Sequence, residues 1–326
     1  MLRSVSHGRQ RAGYGRDMQP LPRYWATVRR TVSFPQTKEY ALTIHGASDV
    51  SVQEAQRDAE QRMERLIAAG GPEQLGSSGV EYYPLRRLPE ELLEEVRAEG
   101  GALVAAITRN RYGSAVLNTD AVLISDVDLV DPSRQDVVAA GGGLLSRLFG
   151  GGRGAELSAQ ERDPDAFGLR SPGRRGEHHA RTLALIDDFT ARHPELGVRT
   201  YRTRNGFRLI ITGTGAGPAS ERARELMGQV HSDELYMILC RVHDSYRARL
   251  TPKPWRIEVD RFEDLGTRTA SDEVHRAWVE RYRKASAEVA VCRLIGSTGP
   301  APSAVEQLII DLHDRAVRAE SGLRLA

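Results

Sequence analysis

Val122-Leu123-Ile124-Ser125-Asp126-Val127-Asp128-Leu129 is an apolar run interrupted by two carboxylates. An extended chain sends alternate side chains to opposite faces, so as a strand this run presents Asp126 and Asp128 together. Upstream, Leu103 to Thr108 and Ala115 to Leu117 are two more short apolar runs, separated by the turn residues Asn110, Gly113, Asn118 and Asp120. Three consecutive strands are expected. Downstream, residues from about 133 to 176 are rich in glycine with scattered Arg, Asp and Pro, the composition of a disordered insertion. Helical spacing resumes from Glu177 through Ala180, Leu183, Ile186 and Phe189, and ends before Pro194.

Val198 to Thr203 and Phe207 to Thr212 then read as strands joined at Arg204-Asn205-Gly206, where Asn-Gly is a strong hairpin signal. Helices follow over Ser220 to Val230 and from Asp233 to about Arg249, and alternation predicts a last strand from Trp255 to Phe262. In order, this is strand, helix, strand, strand, helices, strand, the βαββαβ of an RRM-like or ferredoxin-like core within an α+β protein. Its expected sheet order, 4-1-3-2, brings the end of the first strand beside the starts of the third and fourth.

On either side of that core the pattern differs. Residues 1–22 carry Arg3, Arg9, Arg11 and Arg16 without periodicity and read as a flexible basic arm. The core is expected over 23–262, beginning with an αβ portion: strand-like runs between Trp25 and His45, then a helix opened by a capping box at Ser51 and Glu54. Pro89 suggests a further helix through Leu92, Leu93 and Val96. Residues 263–326 read as helical, with one stripe from Val274 through Trp278 and Tyr282 to Cys292, and a second helix capped by Ser303 and Glu306. These C-terminal helices offer a surface for a protein partner.

Paired acids on a strand suit a hard cation, because Mg²⁺ and Mn²⁺ prefer carboxylate oxygens with water and phosphate completing the shell. Glu258 and Asp260, on one face of the expected last strand, complete a candidate metal set with Asp126 and Asp128, which would also be the catalytic pair. Antiparallel pairing brings Arg204 and Arg208 close to those acids, and Arg249, Lys253 and Arg256 flank the rigid Thr251-Pro252-Lys253-Pro254-Trp255 segment beside them. These five cations are candidates for holding a triphosphate or a nucleic-acid backbone. The competing reading needs no metal: Asp126 and Asp128 pair with Arg204 and Arg208 in a half-buried ion network.

The three segments resemble the catalytic half of the archaeo-eukaryotic primase superfamily of nucleotidyltransferases. Its acid-bearing first strand is matched by Ile124-Ser125-Asp126-Val127-Asp128, its basic strand turn by Tyr201 to Arg208, and its later hydrophobic-acid strand by Ile257-Glu258-Val259-Asp260. The resemblance implies a metal-dependent nucleotidyltransferase or nucleic-acid-processing activity, with metal on the acids and phosphates on Arg204, Arg208 and Lys253. Arg208 stands where that family carries a nucleotide-binding histidine. The DVD and GFR strands and the Ala248-to-Arg256 stretch also resemble an uncharacterised bacterial family, which brings no chemistry with it.

Other candidates are thinner. Cys240 and His243 sit one helical turn apart, a zinc-site spacing that lacks a second pair, so a core helix is the stronger reading. Adjacent His178 and His179 point different ways at a helix start. Gly213-Thr214-Gly215-Ala216-Gly217 precedes a helix and could receive an anion, though without a nearby lysine it reads as a loop. Walker, GxGxxG, GxSxG and HExxH motifs are missing.

The 326 residues, 40% hydrophobic and 28% charged, are enough to bury a core, and no apolar run approaches the roughly 18 residues that span a bilayer. Two cysteines and an N-terminus without an apolar segment suggest a reducing cytoplasm. Basic and acidic residues number 46 and 44, too balanced to announce nucleic-acid binding. Only Lys38, Lys253 and Lys284 are lysines, however, and arginine's donor fork suits phosphate and carboxylate. A nucleotide or nucleic acid is the expected partner, bound catalytically with metal or held without catalysis over an arginine-neutralised acidic cluster.

Overall fold

The computed structural model describes Met18 and residues 21–33, 40–68, 90–129, 172–262 and 273–326. The expected glycine-rich insertion lies outside the described residues as far as residue 171, and most of the basic arm lies outside them too. Met18 is an exception within that arm: it is buried against Leu103 and Ala106, and its amide donates to Leu103 O at 3.1 Å.

The protein is α+β, with antiparallel pairing in all three of its described sheets. Strands β1 (Tyr24–Val32) and β2 (Tyr40–Ser48) form a two-stranded sheet under helix α1 (Val52–Ala68). A hairpin of this kind is marginal alone, and Val28, Leu42 and Ile44 gain their cover from Ala59, Met63 and Leu66 of the helix. Ser51 Oγ caps α1 by accepting from Glu54 N at 3.2 Å, as the sequence suggests.

The next strands, β3 (Glu91–Arg97), β4 (Leu103–Arg109) and β5 (Ala115–Thr119), build a second sheet. β3 corrects the helix expected there. Register shifts between Leu92 and Glu94 and between Val96 and Arg97 interrupt its alternation, so Leu92 and Val96 fall at a spacing that mimics a helix. β6 (Leu123–Asp128), β7 (Gly197–Thr203) and β8 (Gly206–Thr212) belong to the third sheet. Because β8 pairs antiparallel with both neighbours, β6 and β7 run parallel with β8 between them, and helix α2 (Pro172–Arg192) lies in the connection. This is a split β-α-β arrangement. The last residues assigned to the insertion, from Pro172, are already part of α2.

Beyond β8 the chain departs from the expected core. Helices α3 (Glu221–Gln229) and α4 (Glu234–His243) follow as anticipated, but α4 stops early, where Asp244 turns left-handed with φ 47°. The next residues form strand β9 (Tyr246–Arg249), which passes close to β6 yet pairs with β5 in the second sheet. No strand forms from Trp255 to Phe262: Pro254–Arg256 is a 3₁₀ turn, with Ile257 N and Val259 N both donating to Pro254 O. Pro252 and Pro254 have no N–H to give a ladder, and the segment instead straps across the β4–β5 turn. Its Ile257, Val259 and Phe262 pack on Trp278 and Tyr282 of helix α5 (Glu273–Ser286).

The C-terminal stretch is not wholly helical. Strand β10 (Cys292–Thr298) pairs with β7, so the sheet order is β10-β7-β8-β6 rather than 4-1-3-2, and the added strand sits on the edge away from β6. The final helix, α6 (Ala304–Val317), has the expected capping box between Ser303 and Glu306. Ile309, Ile310 and Val317 of α6 join residues of both four-stranded sheets and of α2, α3 and α4 in one hydrophobic cluster. Among the described residues no helix is long and apolar enough to cross a membrane.

Candidate functional site

The antiparallel register of β6 and β8 sets Asp126 opposite Arg208 and Asp128 opposite Gly206. Arg208 Nε donates to Asp126 Oδ1 at 2.7 Å and Nη2 to Oδ2 at 3.1 Å, a two-point pairing that fits the planar guanidinium to the carboxylate. The third nitrogen, Nη1, donates to Arg249 O on β9 at 2.9 Å. The Arg208 side chain is 2% exposed while Asp126 keeps 36% of its surface open, so water reaches the acid but hardly the base. Burial alone would raise the Asp126 pKa, but the charge and hydrogen bonds of Arg208, with help from Arg249, carry it below the ordinary carboxylate value.

Behind Arg208 the pairing continues into α6. His313 Nε2 lies 3.5 Å from Arg208 Nη1 and 4.0 Å from Cys292 Sγ, and Nδ1 lies 2.9 Å from Asp314 Oδ1. These neighbours assign the proton to Nδ1, leaving Nε2 as an acceptor facing the guanidinium. Asp314 also accepts from Tyr201 Oη and from Arg199 Nη2, both at 2.6 Å. Burial, reinforced by the Arg208 charge, outweighs Asp314 and holds the His313 pKa below its usual value. Asp314 is itself held low, because bonds from His313, Tyr201 and Arg199 outweigh its burial.

The backbone at this end is pinned as well. Asp126 O accepts from Asp233 N at 3.0 Å and Ser232 Oγ at 3.2 Å, tying β6 to the α3–α4 turn. Tyr236 Oη lies 2.9 Å from both Ile124 O and Arg247 O, bridging the gap between β6 and β9. On the other side of β9, Arg247 Nη2 grips both oxygens of Glu90 and Nη1 meets Asn118 Oδ1 at 2.8 Å. Burial would raise the Glu90 pKa, but Arg247 and Thr108 outweigh it and hold it low.

The pH dependence follows from these directions. Folded His313 binds its proton more weakly than an unfolded histidine, so its contribution is complete above about pH 6.5 and declines as the pH falls below that. The depressed carboxylates Glu90, Asp126 and Asp314 add stability above about pH 4 that is lost as the pH falls through their folded values. Thermal melts should therefore show falling stability in the His range first. His313→Gln, which cannot titrate, should flatten that first decline; an unchanged slope would show that another group causes it.

The other candidate residues divide between the site and its surroundings. Arg204 lies in the β7–β8 turn next to Asn205, whose amide oxygen, oriented to satisfy its neighbours, accepts from Arg256 Nη2 at 3.0 Å. Arg256 is thereby brought to the strand turn. Lys253 Nζ lies 5.4 Å from the centre of the Trp255 ring. Asp128 is exposed at the end of β6. Glu258 and Asp260, expected on a strand beside β6, instead lie exposed on the strap, where Glu258 has φ 58° and Asp260 pairs with Arg281 at 3.5 Å. Among the described residues no three His, Cys, Asp or Glu side chains are grouped to hold a metal ion. With both Asp126 oxygens on Arg208, the residues present do not fit the expected Mg²⁺ or Mn²⁺.

The thinner candidates are structural. Cys240 is fully buried and burial pushes its thiol up to about 12, while His243 is buried near Glu90. His178 is buried, and the ring of His179 stands edge-on to Phe207. Gly213 N donates to Glu306 Oε1 at 2.7 Å, so this amide of the glycine loop already holds an anion from the protein itself. The C-terminal helices direct Trp278, Tyr282, Ile309 and Ile310 inward. Sequence reasoning missed Glu90, His313 and Asp314: apart from the contact between adjacent His313 and Asp314, their partners Arg247, Arg208, Tyr201 and Arg199 are far away in the chain, and their spacing carries no motif.

No family model, no curated protein and no solved structure matches this chain.

Proposed function

We propose that the protein is a non-catalytic binder of nucleotide or nucleic-acid phosphates, in which the acidic strand end is neutralised by arginine. The observation that carries this reading is the two-point pairing of buried Arg208 with Asp126. It matches the charge of the acid that would otherwise repel phosphate, beside Arg249, whose carbonyl receives Arg208 Nη1, and on the sheet whose β7–β8 turn carries Arg204 and meets Arg256 through Asn205. Arginine suits this role because its planar fork meets phosphate oxygens with paired donors. The metal-dependent nucleotidyltransferase reading requires Asp126 to leave Arg208 and carboxylates to be recruited from the strap.

Fluorescence anisotropy with a labelled single-stranded oligonucleotide tests the proposal. Affinity should fall linearly with salt on logarithmic axes, with a slope of about 0.7 per phosphate contact. Arg204→Gln and Arg256→Gln should each weaken binding and reduce that slope by roughly the same increment. A slope unchanged in both variants would place the phosphate contacts elsewhere.

A further inference from the structure

The strap from Thr251 to Phe262 is fixed at several points. Tyr282 Oη donates to Pro252 O at 2.5 Å and lies 2.8 Å from the Thr251 hydroxyl, Ser114 Oγ donates to Pro252 O at 3.0 Å, and Trp278 Nε1 donates to Asp260 O at 2.7 Å. Trp255, between these anchors, remains partly exposed, and its ring meets Tyr112 edge-on at 5.4 Å. Lys253 Nζ and Arg261 Cζ lie 5.4 and 5.1 Å from the Trp255 ring centre, and Arg111 Cζ lies 4.7 Å from that of Tyr112. A surface indole on an anchored backbone, ringed by cations, joins a stacking plane to phosphate-binding groups.

We infer that Trp255 is a base-stacking platform and that the ligand of the adjoining arginine site is single-stranded nucleic acid. This rests on the phosphate-binding reading above and specifies its substrate class. Aromatic faces accept any unpaired base, whereas duplex bases are already stacked on one another and offer no free face. A base laid on the indole from the Arg261 side displaces the guanidinium from its place 5.1 Å from the ring centre, exchanging that cation–π contact for a ring-to-ring one and leaving the cation beside the base. Arg256, the next residue, reaches the strand turn through Asn205, so the chain from Trp255 to Arg204 offers a stacking site followed by cations, the order in which a strand presents base and phosphate.

The test uses the full chain with labelled oligo-dT and oligo-U of roughly 12 nucleotides, their annealed duplexes, and heparin as a polyanion without bases. Trp255→Leu, which keeps apolar bulk but removes the π face, should weaken single-strand binding about 10-fold or more, with Trp255→Phe staying within about 3-fold of the parent. Heparin affinity should be unchanged in both variants, and comparison of dT with U reads whether the 2′-hydroxyl contributes. Equal single-strand affinity in Trp255→Leu, or duplex binding as tight as single-strand binding, would overturn this inference and leave the phosphate-binding reading standing. Parent protein that binds neither oligonucleotide nor heparin would overturn the reading beneath it. As a measure that leaves Trp255 in place, oligo-dT should quench indole emission in a Trp25→Phe variant, where Trp278 is buried; no quenching on binding would overturn the stacking.

Discussion

Asp126→Ala should destabilise the protein by roughly 3 to 5 kcal/mol, because it leaves the Arg208 guanidinium charged and uncompensated in the interior. At roughly 2 to 4 °C per kcal/mol for a chain of this order of size, the midpoint of thermal unfolding should fall by about 10 °C. The two partners are not equivalent. Arg208→Met strands a carboxylate that is 36% exposed and can be hydrated, so its cost should be smaller, about 1 to 3 kcal/mol. Combining Arg208→Met with Asp126→Leu removes both charges and should recover much of the loss, since a matched apolar pair often equals a buried ion pair. A chemical denaturation cycle on the four proteins measures all of this. If Asp126→Ala were instead more stable than the parent in the absence of metal, the acids would be a mutually repelling cation site.

Gly206→Val is expected to be at least as damaging locally. A Cβ at this position would lie 2.2 Å from Val127 O and 3.2 Å from Asp128 Cα, both backbone atoms of β6 that cannot swing aside. The strands must separate where Asp128 faces Gly206, and a cost of about 3 kcal/mol or more follows from overpacking alone. Denaturant midpoints should show the loss, and oligonucleotide binding should weaken with it because Arg204 lies in the turn that leads into the displaced strand. Arg204→Gln, two residues away in the half-buried turn and outside the β6–β8 contact, serves as the control and should cost less than Gly206→Val. A normal midpoint for Gly206→Val would mean that β6 and β8 do not approach as closely as described.

The same glycine shows how far the sequence could be read. Asn205-Gly206 correctly marked a hairpin, yet the strand register makes Arg204 and Asn205 the turn residues and places Gly206 at the start of β8. Gly206 is there for close backbone approach to β6, a requirement that only the neighbouring strand reveals. Alternation in Val122 to Leu129 was enough to place Asp126 and Asp128 on one face, and the expected antiparallel pairing of that strand with Phe207 to Thr212 was enough to bring Arg208 beside Asp126. The last strand was misplaced because Trp255 to Asp260 alternates as a strand would, while the effect of Pro252 and Pro254 on the backbone outweighs that pattern. β10 was hidden for the opposite reason. With most of its residues exposed and Gly296 within it, it shows no apolar alternation, and its pairing with β7 supplies the order that its side chains do not announce. His313 was invisible as a member of the site because it meets Arg208 from a helix 105 residues further along.

The most direct measurement is the binding isotherm of a labelled single-stranded oligonucleotide taken in EDTA and again with Mn²⁺, for the parent and for Asp126→Ala/Asp128→Ala. With Asp126 held by Arg208, the parent should bind equally well in both solutions. Binding that requires Mn²⁺ in the parent and is abolished in the double variant would contradict the account and return Asp126 and Asp128 to the role of metal ligands.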